Sequence, residues 1–432
     1  MRRFRFLSPM VAAVLLALAT LGPVVAIEGL ATPASNLRVT LARLLAEHAF
    51  LTVQALHAGV ADDDQFAAAA GALEANTAEL EEAIAGIYGD EAGQRFGDLW
   101  RAHIGYVVDY TRARQSSDEA AEQEAIDGLA AYQADFASFL AGANPHLSEE
   151  TLHHLLEDHL RQLQQVANLQ AGDFDEVYES AREAYDHMFA LGDGLAGAIA
   201  LQFPDTFTGR GVAFGPAIDL QVALDRLLGE HAFFAVEVMR TSEPGAVPGA
   251  SAGEALASNG ESLRAAIEGI YGEAAGDGFA DIWEQHNGYY VDYVRARLAG
   301  DEAAADVARA GLEEFSGRMA DFFAGASDLL DAEAVRSGLA VHTDHLLDQV
   351  DAHEAGDYAA SFAIGREAYQ HMGAVSDLLA TGIVNQFPER FLPDTALGTS
   401  PAATFLGWLA VAAAVAIGSR RVRLPWGGRI GH

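Results

Sequence analysis

The segment LLAEHAFLTVQAL at Leu44–Leu56 returns as LLGEHAFFAVEVM at Leu227–Met239. A longer segment ending at Arg114, IAGIYGDEAGQRFGDLWRAHIGYVVDYTRAR, returns as IEGIYGEAAGDGFADIWEQHNGYYVDYVRAR, which ends at Arg297. The offset is 183 residues through most of the unit and 184 in its last block, which fits a loop that is one residue longer. A unit of about 180 residues has the size of a domain and exceeds that of a solenoid repeat. The sequence therefore predicts two copies of one domain, at residues 35–207 and 217–391.

The composition limits what this chain can be. Hydrophobic residues make up 50% of the 432 residues, so each copy has enough apolar surface to bury a core. There is no cysteine, which excludes disulfides and thiolate metal sites. The formal net charge of −36 argues against nucleic acid as a partner, because the phosphates would be repelled.

Apolar residues recur at helical spacing in both copies. The steps between Leu37, Leu41, Leu44, His48 and Leu51 are four, three, four and three, which predicts one apolar face on a helix. Six such stretches follow one another in each copy, and no run has the alternating period of a strand. We therefore expect an all-α fold made of two tandem helical bundles. Each bundle should have about six helices, with a four-helix core and two flanking helices.

Both ends of the chain have the pattern of targeting segments. Residues 1–26 combine a basic start, an apolar stretch and a small final residue, which is typical of a secretory signal peptide. Residues 392–432 begin with LPDTA and continue with an apolar run and three arginines. This segment resembles a sortase (LPxT) cell-wall sorting signal, which implies cleavage between Thr395 and Ala396. Without cleavage it would be a C-terminal transmembrane anchor. Either outcome predicts an exported protein held at the cell surface, on the cell wall or the membrane, by its C-terminus.

Eight of the fifteen histidines occupy equivalent positions in the two copies. They are His48 with His231, His103 with His286, His159 with His342, and His187 with His371. Within a copy the four lie on four different predicted helices. The first three fall on the apolar face of their helix, and His187 lies at its edge beside Met188. A fainter repeat inside each copy, LLAEH at Leu44 against LLEDH at Leu155, predicts a pseudo-twofold bundle in which the four imidazoles converge in the core.

Inward imidazoles from facing helices are typical of metal sites in helical bundles. Glu183 stands four residues before His187, and Glu367 four before His371, so each acid is placed to hold the second ring nitrogen of its histidine. Ligands without thiolate suit Cu, Zn or Fe, and a pair of histidines could instead bind haem. The leading hypothesis is one transition-metal or haem site in each copy, with the eight paired histidines as ligands.

Two other functions stay open at this point. In a structural or interaction protein, each histidine would bond a local partner such as Tyr106 or Tyr185 and would not meet the other three. In a ferritin-like di-metal oxidoreductase, carboxylates would cluster beside the histidines. The sequence indicates neither a catalytic residue nor an oligomeric state.

The segment LWRAHIGYVVDYTRA at Leu99–Ala113, together with REAYDHM at Arg182 and QFPDTF at Gln202, carries a family resemblance. Over Leu37–Phe391 the chain resembles secreted bacterial helical proteins without an assigned activity, some of which are labelled copper amine oxidase-like. The resemblance implies an exported helical protein and favours copper as the metal. It does not imply oxidase chemistry, because that chemistry matures a tyrosine that follows an asparagine, and this chain has no Asn-Tyr pair.

Overall fold

The computed structural model describes residues 31–61, 63–169, 174–242 and 248–391. Over these residues the fold is all-α and contains no strand, which confirms the predicted fold class. The predicted signal peptide at 1–26 and the C-terminal signal, with Thr395 and Ala396, lie outside the described residues. None of the helices in the described ranges combines the length and the apolar character needed to cross a bilayer.

Within the described residues, each half of the chain has six long helices. The first half has α1 (Pro33–Ala61), α2 (Asp63–Tyr88), α3 (Asp90–Ser116), α4 (Glu119–Ala143), α5 (Glu149–Leu169) and α6 (Phe174–Gln202). A short helix, α7 (Arg210–Ala213), lies in the connection. The second half has α8 (Pro216–Thr241), α9 (Pro248–Tyr271), α10 (Glu273–Ala299), α11 (Glu302–Ala326), α12 (Ala332–Glu354) and α13 (Tyr358–Gln386), followed by the short α14 (Pro388–Phe391). Gly89 and Gly272 join their helices through a single residue with φ of 94° and 93°, a conformation that favours glycine.

The six helices of each half form a closed ring. Each helix contacts its neighbours in the chain, and α6 returns to contact α1, as α13 returns to α8. Helices α1, α3 and α5 also contact one another through the middle of the ring, and so do α8, α10 and α12. The inner group therefore consists of three alternating helices, in place of the expected four-helix core. The remaining helices, α2, α4 and α6 in the first half, fill the spaces between the inner three.

The centre of the molecule is built from the segment that repeats most clearly. Every residue from Leu45 to Leu56 on α1 is buried, and so is every residue from Leu227 to Met239 on α8. These two helices contact each other, while α13 contacts α2 and α9 contacts α6. Phe50 stacks on its own counterpart Phe233, with ring centroids 3.8 Å apart and planes within 3°. Stacking of equivalent residues marks a pseudo-twofold axis, and the largest apolar cluster contains residues of both halves.

Two buried carboxylates on the central helices are paired across this axis. Glu47 on α1 accepts hydrogen bonds of 3.0 Å from Nε and Nη2 of Arg366 on α13. Glu230 on α8 is paired with Arg182 on α6. Both arginines belong to the repeated REAY motif, which begins at Arg182 in the first half and at Arg366 in the second. The two arginines make equivalent contacts that join the two halves in the interior.

Replacing Arg366 by Met should destabilise the whole protein. The substitution leaves the Glu47 carboxylate buried without its cation, which costs about 3–5 kcal/mol. Arg182→Met should have a similar effect, because the pair is repeated. The free energy of unfolding from urea titration measures both.

Arg295→Met is the matched control, because Arg295 is exposed and lies 3.9 Å from Asp292. Its effect should stay within about 0.5 kcal/mol. Equal unfolding free energies for Arg366→Met and Arg295→Met would contradict the assignment of the buried pair as a main link between the halves.

Candidate metal centre

Three imidazoles meet in the core of the first half. His48 comes from α1, His103 from α3 and His159 from α5, and one ring nitrogen from each lies within 4.8 Å of the other two. The Nε2 atoms of His48 and His103 are 3.2 Å apart. All three side chains are fully buried, with at most 1% of their surface exposed. We call these residues the first triad.

The second half repeats the arrangement. His231 on α8, His286 on α10 and His342 on α12 form the second triad, with ligand nitrogens again within 4.8 Å of one another. A metal bound at 2.0–2.1 Å by three imidazoles holds their nitrogens about 3.3–3.6 Å apart. The triads are therefore close to metal-binding geometry, and small side-chain movements would complete it.

Burial keeps these histidines uncharged. Desolvation lowers the pKa of His103 to about 3, and it lowers the pKa of His48 and of His159 well below 6.5. The charge of neighbouring imidazoles adds to the effect on His48 and His159, since one protonated ring repels the next. The pKa values of His231, His286 and His342 are lowered for the same reasons. Neutral imidazole is the form that binds a metal.

Most of the triad nitrogens have no hydrogen-bond partner among the described residues. In the second triad this holds for all six ring nitrogens, and in the first triad for both nitrogens of His159 and for Nδ1 of His103. A buried polar atom left unpaired costs about 1–3 kcal/mol, and such atoms in a folded protein call for a bound ion or water. The alternative in which every histidine bonds a local tyrosine or acid does not fit the five rings that carry these nitrogens, those of His103, His159, His231, His286 and His342.

Aromatic rings wall both triads. The Trp100 ring centroid lies 4.7 Å from that of His48 and 4.8 Å from that of His103. Trp283 takes the equivalent place, with its ring centroid 4.7 Å from that of His231. Tyr132 stacks on His103 at 4.7 Å in the first half, and its counterpart Phe315 stacks on His286 at 4.1 Å in the second. The walls of both triads are therefore mainly aromatic.

The fourth predicted histidine of each half does not join its triad. His187 is half-buried, and its Nε2 donates to the carbonyl oxygen of Leu155 at 2.8 Å. His371 donates in the same way to Gly338 at 2.7 Å. Both lie on outer helices, one residue before the buried Met188 or Met372 and therefore about 100° away from the inward face. The expected convergence of four rings on a pseudo-twofold axis is replaced by convergence of three from alternating helices.

Glu183 and Glu367 are exposed, so the prediction that they support the metal ligands is not met by the geometry. Each lies four residues before its histidine and shares the outward face of that residue, which turns the carboxylate to solvent. No carboxylate belongs to either triad within the described ranges.

The sequence reasoning missed two further features. His153, His154 and Glu157 form an exposed group on α5 whose ligand atoms lie within 4.8 Å, although exposed groups of this kind are common without a metal. His345 lies beside His371, with ring centroids 5.5 Å apart. The sequence signal for His345 was its position three residues after His342, on the same face of α12.

A small apolar cavity lies near the second triad. It has a volume of about 30 Å³ and is lined by residues that include Trp283, Leu228 and Leu339, but by none of the three triad histidines. That volume holds about one water molecule, whereas sites for organic cofactors measure about 300–1,000 Å³. This cavity therefore has no room for haem, and the metal-ion form of the sequence hypothesis needs no such space.

Comparisons with known proteins found no relative. No protein-family model matches the chain, no curated protein matches it, and no solved structure matches it. The function proposed for this chain therefore rests on the geometry of the triads.

The metal-free protein should lose stability as the pH falls. The folded pKa values of the triad histidines lie below the unfolded value of 6.5, so their contribution is present above pH 6.5 and declines as the pH falls toward the folded values, about 3 for His103. Each histidine contributes a slope of about 1.4 kcal/mol per pH unit in that window. Urea unfolding of chelator-treated protein at pH 7, 6 and 5 measures the slope.

His103→Gln should lower this slope by one histidine's contribution. The exposed His146 provides the control, since His146→Gln removes no buried imidazole and should leave the slope unchanged. A stability that does not change between pH 7 and pH 5 would mean that the buried rings accept protons in the folded state.

Proposed function

We propose that this protein binds two transition-metal ions, one at each histidine triad. The observation that carries the proposal is the second triad, where three neutral, fully buried imidazoles meet and none of their six nitrogens has a partner among the described residues. A metal ion would bind one nitrogen of each of the three rings. This would offset the free-energy cost of burying those nitrogens away from water.

Copper is the metal that suits this environment. Neither triad contains a carboxylate, so no charge on the ligands offsets the charge of an ion bound in this buried site. The Born cost of burying an ion rises with the square of its charge, which favours a monovalent over a divalent ion. Copper has a stable monovalent state, imidazole is a suitable copper ligand, and Cu²⁺ is also the divalent ion bound most tightly by nitrogen ligands. Zinc is the competing ion, and iron is disfavoured because its carboxylate ligands are missing.

The lack of carboxylates and the unpaired ring nitrogens also weigh against the two alternative functions. A ferritin-like di-metal oxidoreductase needs carboxylates beside the histidines, and Glu183 and Glu367 are exposed. A purely structural role for the histidines leaves nine buried ring nitrogens of the two triads without a described partner. We propose storage, scavenging or sensing of copper as the role, since a sealed triad of neutral ligands holds an ion without offering it to a substrate.

The place of action is proposed from the two ends of the sequence. The signal-peptide pattern at 1–26 and the LPxT-like segment at 392–432 support export and attachment at the cell surface, through the cell wall or the membrane. The net charge of −36 adds to this picture, because an acidic surface concentrates cations near the protein.

Purified full-length protein loaded with Cu(I) under anaerobic conditions should contain two copper ions per chain. His103→Phe and His286→Phe should each reduce the content to one, and the double variant to none, because each removes one ligand of one triad. Phenylalanine fills the space of the imidazole and limits the cavity cost. Elemental analysis gives the content, and far-ultraviolet circular dichroism checks that the helices persist.

His146→Phe is the matched control and should retain two ions, since His146 is exposed. Two zinc ions in place of copper would retain the triads as metal sites and reject copper as the metal. A wild-type protein that retains neither ion after desalting would reject the proposed function.

The first triad has hydrogen bonds at His48 that the second triad lacks. Trp100 Nε1 donates to His48 Nδ1 at 3.2 Å, so the neutral His48 ring carries its proton on Nε2, the nitrogen that faces His103. A metal ion at the first triad must displace that proton or break the bond to Trp100. Trp283 Nε1 has no partner among the described residues, so the second triad meets no such obstacle.

Trp100→Phe should therefore tighten copper binding at the first triad by about threefold to tenfold, the value of one hydrogen bond. The titration uses the His286→Phe background, in which the first triad is the only one left. Trp283→Phe in the His103→Phe background is the control and should leave the affinity unchanged. An unchanged affinity in Trp100→Phe would show that the indole does not hold His48 in the unfavourable tautomer.

A further inference from the structure

Both triads are sealed, so a metal ion needs a route through the protein. The triad side chains are at most 1% exposed, whereas His187 and His371 on the outer helices are half-buried and reach solvent. His187 stacks against His159 of the first triad, with ring centroids 6.3 Å apart and planes within 8°. In the second half, the ring of His371 lies 5.5 Å from that of His345, which stands three residues after the triad histidine His342 on the same face of α12. Each half thus has a solvent-reaching imidazole next to its buried ones.

The hydrogen bonds of these outer histidines leave a ligand nitrogen free. The carbonyl oxygens of Leu155 and Gly338 can only accept, so Nε2 of His187 and of His371 carries the ring proton. In the neutral ring Nδ1 then keeps its lone pair. Metal-binding histidines commonly have this arrangement, in which one nitrogen donates to a backbone carbonyl and the other binds the ion.

The second half has one more imidazole on this side than the first. His345 on α12 is half-buried, and its ring lies 5.5 Å from that of His371 at an angle of 84°. Its Nδ1 is buried and has no partner among the residues that the structure describes. The equivalent position on α5 is Gln162, whose amide is a far weaker ligand for copper. His345 and His371 therefore extend the second triad toward solvent by two rings, against one in the first half.

We propose that His345 and His371 form the loading path of the second triad, along which a copper ion passes from solvent to His342. The inference rests on the proposed function, because it assumes that the triads bind metal. Each step is ligand exchange: a bond from the ion to the next imidazole forms as the bond to the previous one breaks, and the oxidation state does not change. His187 alone serves the first triad, which therefore loads more slowly.

The difference between the halves supplies the test. His345→Gln gives the second half the residue of the first, and Gln162→His gives the first half the residue of the second. His345→Gln is measured in the His103→Phe background and Gln162→His in the His286→Phe background, so that each protein loads one triad. Metal-free full-length protein is mixed with Cu(I) under anaerobic conditions, and quenching of the fluorescence of Trp283 or Trp100 follows loading of the adjacent triad.

His345→Gln should slow loading of the second triad by about tenfold or more, and Gln162→His should speed loading of the first. In both variants the final content should stay at one copper ion per chain with unchanged affinity, since the triad ligands are intact. A purely structural role for His345 would instead change the unfolding temperature and leave the loading rate alone.

Three outcomes overturn the inference. If His345→Gln and its parent load at equal rates and each binds one ion, the path is rejected and the proposed function stands. Loss of the bound ion in His345→Gln would show that His345 is a ligand of the bound ion and does not only transfer it to the triad. Absence of copper from both parent backgrounds would reject the inference together with the proposed function.

Discussion

Burial of α1 and α8 on all sides is the constraint around which this molecule is organised. Each central helix has a stretch of at least twelve consecutive residues without an exposed side chain. A helix that is apolar all round must be covered by other helices, and here each is covered by its own half and by the other half. The polar residues within these stretches then need partners in the interior. Glu47 pairs with Arg366, and Glu230 pairs with Arg182. His48 and His231 each lie beside two further imidazoles.

This arrangement buries two kinds of polar group on the same helices, the carboxylates of Glu47 and Glu230 and the imidazoles of His48 and His231. The carboxylates are compensated within the protein, because an arginine from the other half reaches each of them. The imidazoles of the second triad are not compensated, because none of their ring nitrogens has a partner among the described residues. A paired carboxylate is part of the structure that joins the halves. A group of buried neutral imidazoles without partners is the feature on which the proposed metal binding rests.

The two halves show which features of the site are shared and which have diverged. The six triad histidines and the two tryptophans beside them occupy equivalent positions. Around this shared centre, Tyr132 is replaced by Phe315, Thr52 by Ala235 and Gln162 by His345. These replacements change the hydrogen bonding near the rings and the number of imidazoles toward solvent, while in both halves one ring nitrogen from each triad histidine stays within 4.8 Å of the other two. Two sites with one ligand set can therefore differ in affinity and in loading rate.

The sequence by itself determined the all-α class and the duplication, and it placed the six triad histidines among its eight candidates, because helical periodicity and repetition are local properties of a chain. It also contained the reason for excluding His187, whose place at the edge of the apolar face, beside Met188, corresponds to its half-buried position in the structure. Only the tertiary structure decided that alternating helices form the inner group, that three rings meet in each half, and that Arg182 and Arg366 pair in the interior. Those outcomes depend on which helix faces which across the ring, and helices distant in the chain come together through packing that no local pattern records.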